Sequence, residues 1–406
     1  MRLLNANTKE IREFHQGSTP PYAILSHTWG NEEVNLQELQ ALYTHQNKNP
    51  PRKVRSKEGY LKIKGCRTLA SNHGFEWVWV DTCCIDKTSS AELSEAINSM
   101  FRWYKEAGVC YVYLADVSLS EDYHTNLSKF RESRWYKRGW TLQELVAPKE
   151  VKFYDASWNF IGTRSKLQAI IQDIAGIPAE FLTSESVHNA SVAQRMSWAA
   201  KRETTRIEDM AYCLMGLFDV NMPLLYGEGD KAFRRLQLEI IQQSSDQTIF
   251  AWGFDLSLKD TEAEDDEIAV LAKSPSDFVN CGKVVPCQPL QPSQTVSFVK
   301  VKTGVLLELP LLYDKYDKLP LGALGAYGVL NCRLTDSFSK LIAIPLGPAL
   351  VWSRNKHSFC KVGKFYYVER PRRRPPISVE EDIIRLPLHL VVVIEDPYLR
   401  RLALRS

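Results

Sequence analysis

A chain of 406 residues is longer than one hydrophobic core comfortably serves, so two or three domains are expected. Its 44% hydrophobic and 24% charged residues are ordinary for a chain that folds in water. Lysine and arginine number 51 against 48 aspartate and glutamate, and this near balance gives no ground for a nucleic-acid or membrane-surface partner.

The nine cysteines are Cys66, Cys83, Cys84, Cys110, Cys213, Cys281, Cys287, Cys332 and Cys360. They form no C-x-x-C pair and lack neighbouring histidines at zinc-ligand spacing, so no metal site is expected. Several lie in apolar runs, as Cys110 does before Tyr111-Val112-Tyr113-Leu114, which suits reduced, buried thiols in a reducing compartment. Met1-Arg2-Leu3-Leu4-Asn5 lacks the apolar stretch of a secretory leader, and runs such as Leu390 to Ile394 are too short to span a bilayer. The expected location is the cytoplasm.

In chain order, Tyr22 to Ser26 reads as a short apolar strand running into the turn-like His27-Thr28-Trp29-Gly30-Asn31. Glu76 to Asp81 is rich in strand formers and ends in an acid. Ser90 to Glu106 has helical spacing, with Leu93, Ile97, Met100, Phe101 and Tyr104 on one face, and Gly108 is expected to stop the helix. Val109 to Leu114 and Val151 to Tyr154 read as strands, with a short helix over Thr141 to Val146 between them and Pro148 closing it. The alternation predicts an α/β fold, an open and mostly parallel sheet with flanking helices, over residues 1–160. Ligands of such sheets bind outside the carboxyl ends of the strands, which singles out Ser26 to Gly30, Asp81 to Lys87 and the segment after Leu114.

Residues 161–250 are predicted to be a helical extension. Ile207, Met210, Ala211, Leu214 and Phe218 recur at helical spacing, as do Phe233, Leu236 and Ile240. Pro223 and Gly227-Glu228-Gly229 separate the two groups. Asp260 to Glu267 reads as an acidic linker or loop. Residues 251–406 are expected to form a β-rich C-terminal domain, on the strand signals of Val296 to Leu309, Ile342 to Ile344, Phe365 to Val368 and Leu388 to Ile394.

Three blocks in the first half resemble the fungal heterokaryon-incompatibility (HET) domain family. They are Tyr22-Ala23-Ile24-Leu25-Ser26-His27-Thr28-Trp29-Gly30, Trp79-Val80-Asp81-Thr82-Cys83-Cys84-Ile85-Asp86-Lys87, and Arg138-Gly139-Trp140-Thr141-Leu142-Gln143-Glu144-Leu145-Val146-Ala147-Pro148. A further block, from Ser197-Trp198-Ala199 through Thr204-Thr205-Arg206-Ile207-Glu208-Asp209 to Leu225-Tyr226-Gly227-Glu228-Gly229, resembles the segment that follows the domain in many fungal members. The resemblance implies a role in nonself recognition (vegetative incompatibility), in which incompatible partners trigger programmed cell death.

The run from Ala91 to Tyr154 is also similar, more distantly, to Toll/interleukin-1-receptor (TIR) domains, which implies a TIR- or flavodoxin-like sheet. In TIR domains that cleave NAD, the catalytic glutamate of the short helix maps onto Glu144. Thr141 stands where those domains usually carry Cys, and Ser118 to Lys137 is extra. The substrate implied is NAD or a related nucleotide, with no cofactor required. Nicotinamide leaves as a neutral molecule, so one carboxylate that stabilises an oxocarbenium-like ribose suffices. Ser26, His27, Trp29, Gly30, Asp81, Asp86 and Trp140 are the expected nucleotide-binding residues.

Each residue also has a plain structural reading. Glu144 becomes an ordinary helix residue, His27 a hydrogen-bonded turn residue, Trp29 a core plug, and Asp81 and Asp86 turn caps. Cys83-Cys84 beside His27 raises a thiol hydrolase as a third option, although adjacent side chains on an extended chain point oppositely and no orienting acid is identified. Gly227 to Lys231 lacks phosphate-loop spacing and reads as a turn before a helix. Arg370 and Arg372 to Arg374 read as a solvated loop. The alternative to an enzyme is a non-catalytic module that self-associates and recruits other death-signalling proteins.

Overall fold

The structure is a computed structural model that describes residues 1–15, 17–43, 52–118, 128–184, 186–253, 271–288, 298–301, 304–308, 311–313, 326–348, 358–361, 366–369 and 391–395. Two compact units divide the chain. One comprises Met1–Val187 and Arg202–Gly227, the other His188–Lys201 and Glu228–Ser406. Residues 161–250, expected as a helical extension, are thus shared between the two.

The first unit is built on seven strands: β1 (Arg2–Asn5), β2 (Ile11–Glu13), β3 (Tyr22–His27), β4 (Trp77–Trp79), β5 (Val109–Tyr113), β6 (Val151–Tyr154) and β7 (Phe160–Thr163). Their order across the sheet is β2-β1-β4-β3-β5-β6-β7. Pairing is parallel from β4 through β3 and β5 to β6, and antiparallel at both margins. Five strands therefore run one way, and only β1 and β7 oppose them. Every residue of β3 and β4 is buried, so both faces of the sheet's centre are covered, as its parallel strands require.

Connections between the parallel strands are helical, because such a crossover needs a dozen or more residues. The first carries α1 (Leu36–Tyr43) and α2 (Glu58–Asn72), the second α3 (Ser90–Glu106), and the third α4 (Thr141–Val146). Chain order and spatial order diverge at β3: the chain leaves it for β4 on one side, then crosses to β5 on the other. Sheets of this kind hold their ligands in a crevice at such a reversal, which here falls at the carboxyl ends of β3 and β5.

The α3 helix has the predicted limits. The Ser89 side chain accepts from the Glu92 amide at 3.3 Å, an N-cap that fixes its start. Its end corrects an expectation. Gly108 takes no left-handed φ; its amide instead donates to the Tyr22 carbonyl at 2.9 Å, which turns the chain directly into β5. Trp103 and Tyr104 on the buried face pack edge-on against Trp79, with ring centroids 5.6 and 5.8 Å apart. Farther along, Ile207, Met210, Ala211, Leu214 and Phe218 do not share one helix. They fall on or beside two separate turns, Asp209–Tyr212 and Met215–Phe218, and Ile207 is exposed.

The second unit holds α5 (Val192–Ala199), with a capping box of Ser191 and Gln194, and α6 (Lys231–Gln243), whose Phe233, Leu236 and Ile240 are buried as their spacing predicts. Gly227 and Gly229 both take positive φ in the turn that leads to α6. From residue 284 onward the described elements are strands, β8 (Val284–Pro286), β9 (Phe298–Val301), β10 (Gly304–Glu308), β11 (Leu311–Tyr313), β12 (Ala326–Leu334), β13 (Ser337–Pro348), β14 (Ser358–Lys361), β15 (Tyr366–Glu369) and β16 (Val391–Glu395). The acidic stretch Asp260 to Glu267 and the arginines from 370 to 374 lie outside the described residues.

Trp79 has no exposed surface and joins β4 to α3 through the ring contacts above. Trp79→Ala is expected to cost about 3–5 kcal/mol, read as a lowered urea midpoint with little change in slope.

Candidate functional site

The site begins with a contradiction inside β3. Four apolar residues are followed by Ser26 and His27, both buried. A buried hydroxyl must find partners, and Ser26 finds two. It donates to Oε2 of Glu144 and accepts from the Trp135 indole Nε1 at 2.8 Å. The strand end, α4 and the turn before α4 are thereby tied together.

That turn is built locally. Ser133 caps the single turn Arg134–Lys137, and Asp116 takes the Ser133 hydroxyl and the Arg134 amide at 2.8 Å each. Thr141 donates its hydroxyl to the Trp135 and Arg138 carbonyls at 2.5 and 2.8 Å. The segment after residue 201 returns to hold the same turn. Glu203 exchanges backbone bonds with Lys137 and Gly139, and the buried Arg202 donates to the Arg138 carbonyl and the Thr141 hydroxyl, both at 2.9 Å. Thr141 thus has a defined task.

Glu144 is 7% exposed, so the reading of it as an ordinary helix residue fails. Burial pushes its carboxyl up to about 8, the field of Asp81 adds to this, and the bonds to Ser26 and Tyr104 with the charge of Arg202 draw it back. At neutral pH the carboxyl therefore holds its proton.

Beside this chain lies a second cluster. His27 is buried, and burial holds its imidazole well below its ordinary pKa, with Lys62 acting in the same direction. Its Nε2 is 3.7 Å from Oδ1 of Asp81 and 3.9 Å from Oε2 of Glu33, too far for hydrogen bonds. The other oxygen of each acid is engaged. Asp81 Oδ2 accepts from the Trp29 indole at 2.7 Å, and Glu33 Oε1 accepts from the Gly30 amide at 2.8 Å and from Lys62 at 2.5 Å. Lys87 lies over the Trp29 ring, 3.5 Å from its centroid.

Of the expected residues, the crevice brings together Ser26, His27, Trp29, Gly30, Asp81 and Glu144. Trp29 is 51% exposed, so it is no core plug. Asp86 goes elsewhere: its carboxylate organises its own turn, accepting from the Thr88 amide and hydroxyl at 3.0 and 2.6 Å and from Gln37 at 2.9 Å. Trp140 also turns away, with its indole bonded to Asp209. The indole at Glu144's partner is that of Trp135. Sequence reading missed Trp135, Tyr104, Glu33, Lys62 and Arg202. Glu33 carried a faint signal, being an acid three residues beyond Gly30 in a ligand-facing loop.

The thiols do not form a nucleophilic centre. Asp81–Cys84 is a helical turn, not extended chain, and both thiols fold back on the backbone of Val80. A hydrogen bond with Cys84 and burial hold the Cys83 thiol well above its ordinary pKa.

Comparison with known proteins agrees with the motif blocks. Residues 22–122 match the heterokaryon incompatibility protein family (HET). Over 251 residues the chain is 48% identical to the vegetative incompatibility protein HET-E-1 of Podospora anserina. The chain carries a heterokaryon incompatibility domain. The HET-E-1 match takes in 59% of this chain but only 18% of that protein. Residues 231–303 match a domain of unknown function, DUF8212. No solved structure matches the chain significantly. The residues matched to the HET family include Ser26, His27, Trp29, Glu33 and Asp81; Trp135 and Glu144 lie beyond them. Among the described residues, no helix is long and apolar enough to cross a membrane.

Two outcomes follow from this geometry in the HET domain. Between pH 4.5 and about 8 the folded Glu144 carboxyl keeps a proton that the unfolded chain has released. Its contribution to stability therefore falls as pH rises through that window and is level above it, a change of about 4–5 kcal/mol at most. Glu144→Gln, which keeps an acceptor for Ser26, is expected to lose less stability than the wild type between pH 5 and 8 in urea titrations. Separately, a Cβ at Gly59 would stand 2.6 Å from the Glu32 carbonyl and 2.8 Å from the Glu33 Cα. Gly59→Ala must push this backbone aside and is expected to cost about 1–3 kcal/mol, measured by thermal melting with matched chemical denaturation.

Proposed function

We propose that the chain acts in vegetative incompatibility, with its HET domain as an effector that triggers cell death by cleaving the nicotinamide–ribose bond of NAD+. The central parallel strands, taken in chain order, run 2-1-3-4 across the sheet, which agrees with a flavodoxin- or TIR-like reading of the domain. The observation that carries the catalytic reading is the bond between Ser26 and Glu144. It sets an acidic side chain of α4 against the strand end where a ligand of this sheet would lie.

In this reaction Glu144 stabilises the positive charge that grows on the ribose as nicotinamide leaves as a neutral base. Water then completes the hydrolysis. The carboxyl is closed in by Ser26, Trp135 and Tyr104, so a substrate reaches it only by displacing part of this enclosure. The partners in this reading are NAD+ and further copies of the protein or other death-signalling proteins, and the setting is the cytoplasm.

The same burial favours a second reading. A protonated Glu144 bonded through Ser26 to Trp135 is what a structural tie between β3 and α4 needs, and the domain would then act by assembly alone. Glu144→Gln separates the two, because it keeps the shape and the bond but removes the ionisable group. For an enzyme, nicotinamide release by the purified protein falls at least about a hundredfold, a loss typical of removing a principal electrostatic stabiliser, and killing on overexpression is lost with it. Killing that persists undiminished in Glu144→Gln, with no nicotinamide released by either protein, rules out the catalytic reading.

A further inference from the structure

Three atoms in the crevice have an unusual status. Nε2 of His27, Oδ1 of Asp81 and Oε2 of Glu33 are buried, and none has a hydrogen-bond partner among the described residues. The distances of 3.7 and 3.9 Å show the three atoms gathered about His27, though too far apart to satisfy each other. Leaving one such group unpaired costs about 1–3 kcal/mol, and here three stand together. Each acid meanwhile has its other oxygen held by a donor from the surrounding loop or from α2. The free oxygens are therefore held in fixed positions.

We infer that His27, Glu33 and Asp81 form a subsite for the vicinal diol of a ribosyl group. Among the described residues no three His, Cys, Asp or Glu side chains are arranged to hold a metal ion. An ammonium or guanidinium is also poorly matched, because Lys62 already pairs with Glu33 and Lys87 stands over Trp29 beside Asp81. What the trio needs is a neutral group with two donors close together. A vicinal diol supplies them: one hydroxyl donates to Asp81 and also meets the His27 nitrogen, and the other donates to Glu33. His27 suits this contact because it is uncharged and is held between both acids.

Access lies past Trp29, which is exposed on one side and bonded to Asp81 on the other. Glu33 becomes a specificity residue that distinguishes a ribosyl from a deoxyribosyl group. The inference rests on the NAD+ reading for the identity of the sugar, and the experiment separates the two. Binding is measured by calorimetry in the Glu144→Gln background, with NAD+ and with an NAD+ analogue that lacks the 2′-hydroxyl on the nicotinamide ribose.

Glu33→Gln in that background should weaken NAD+ binding at least about tenfold, by loss of a charged acceptor. Removing the 2′-hydroxyl should do the same, and the two losses should not add, since both delete one contact. Asp81→Asn serves as a second variant if Glu33→Gln fails to fold, with circular dichroism as the check. Losses that simply multiply, a variant that binds NAD+ as before, or no NAD+ binding at all would each overturn the subsite. Diol-dependent binding with no nicotinamide release by the wild type would leave the subsite standing and remove the cleavage reading. Nicotinamide release with an unchanged KM in Glu33→Gln would do the reverse.

Discussion

The first unit depends on how it accommodates one buried carboxyl. Glu144 is buried on α4 against the end of β3, where an ionised acid without partners would cost several kcal/mol. The fold meets this cost in two ways: the carboxyl keeps its proton, and Ser26 and Trp135 extend a hydrogen-bonded chain from it. Each link pins an element. Ser26 is the last turn of register in β3 before His27, Glu144 belongs to α4, and Trp135 belongs to the turn that sets the start of α4. The segment from Arg202 to Glu203 then locks that turn through its backbone. A chemical constraint at one atom thus explains why a stretch some sixty residues farther along must return to this place.

The two polar clusters of the crevice have opposite designs. Around Glu144 the carboxyl is neutral at ordinary pH and hydrogen-bonded to Ser26, which in turn accepts from Trp135. Around His27 two acids each present one oxygen with no partner, and the imidazole between them is uncharged. The first arrangement stabilises the folded chain, and the second weakens it. Costly polar placements of this kind persist where surrounding structure fixes them, and they concentrate at functional sites. Their position, at the carboxyl ends of parallel strands beside a reversal of strand order, is where physical reasoning on the sheet alone places a ligand.

Much of this could be read from the residues. Tyr22 to Leu25 and Val109 to Leu114 are continuous apolar runs, and central parallel strands produce that pattern because both faces are covered; Val151 to Tyr154 is apolar but for Lys152. The limits of α3 and α4 were equally legible, the first from its apolar face and the second from Pro148 closing it. By contrast β1 and β2 are three or four residues long, and β2 is mostly exposed, so neither has a period to detect. The error between Trp140 and Trp135 has a different source. Position near Glu144 in sequence places Trp140 beside the helix but does not say where a long indole ends, and Asp209, far along the chain, decides that. Lys62 and Arg202 owe their places to tertiary contacts and were invisible for the same reason, and Glu33 left only its position in the loop as a clue.

The raised pKa of Glu144 bears directly on the proposed chemistry. A carboxyl that is neutral in the resting protein cannot stabilise a cation, so the proposed chemistry requires it to lose its proton first. NAD+ itself changes the balance, because its nicotinamide ring is positively charged and the oxocarbenium-like ribose inherits that charge as the ring departs. An opposite charge within a few ångströms favours ionisation of a buried acid, and the low polarity that raised the pKa also strengthens this attraction. The substrate would then create the anion that cleaves it, and only while it occupies the crevice. Such an arrangement would suit the effector proposed above: the burial that keeps the resting acid neutral would also hold it back until a cation reaches it.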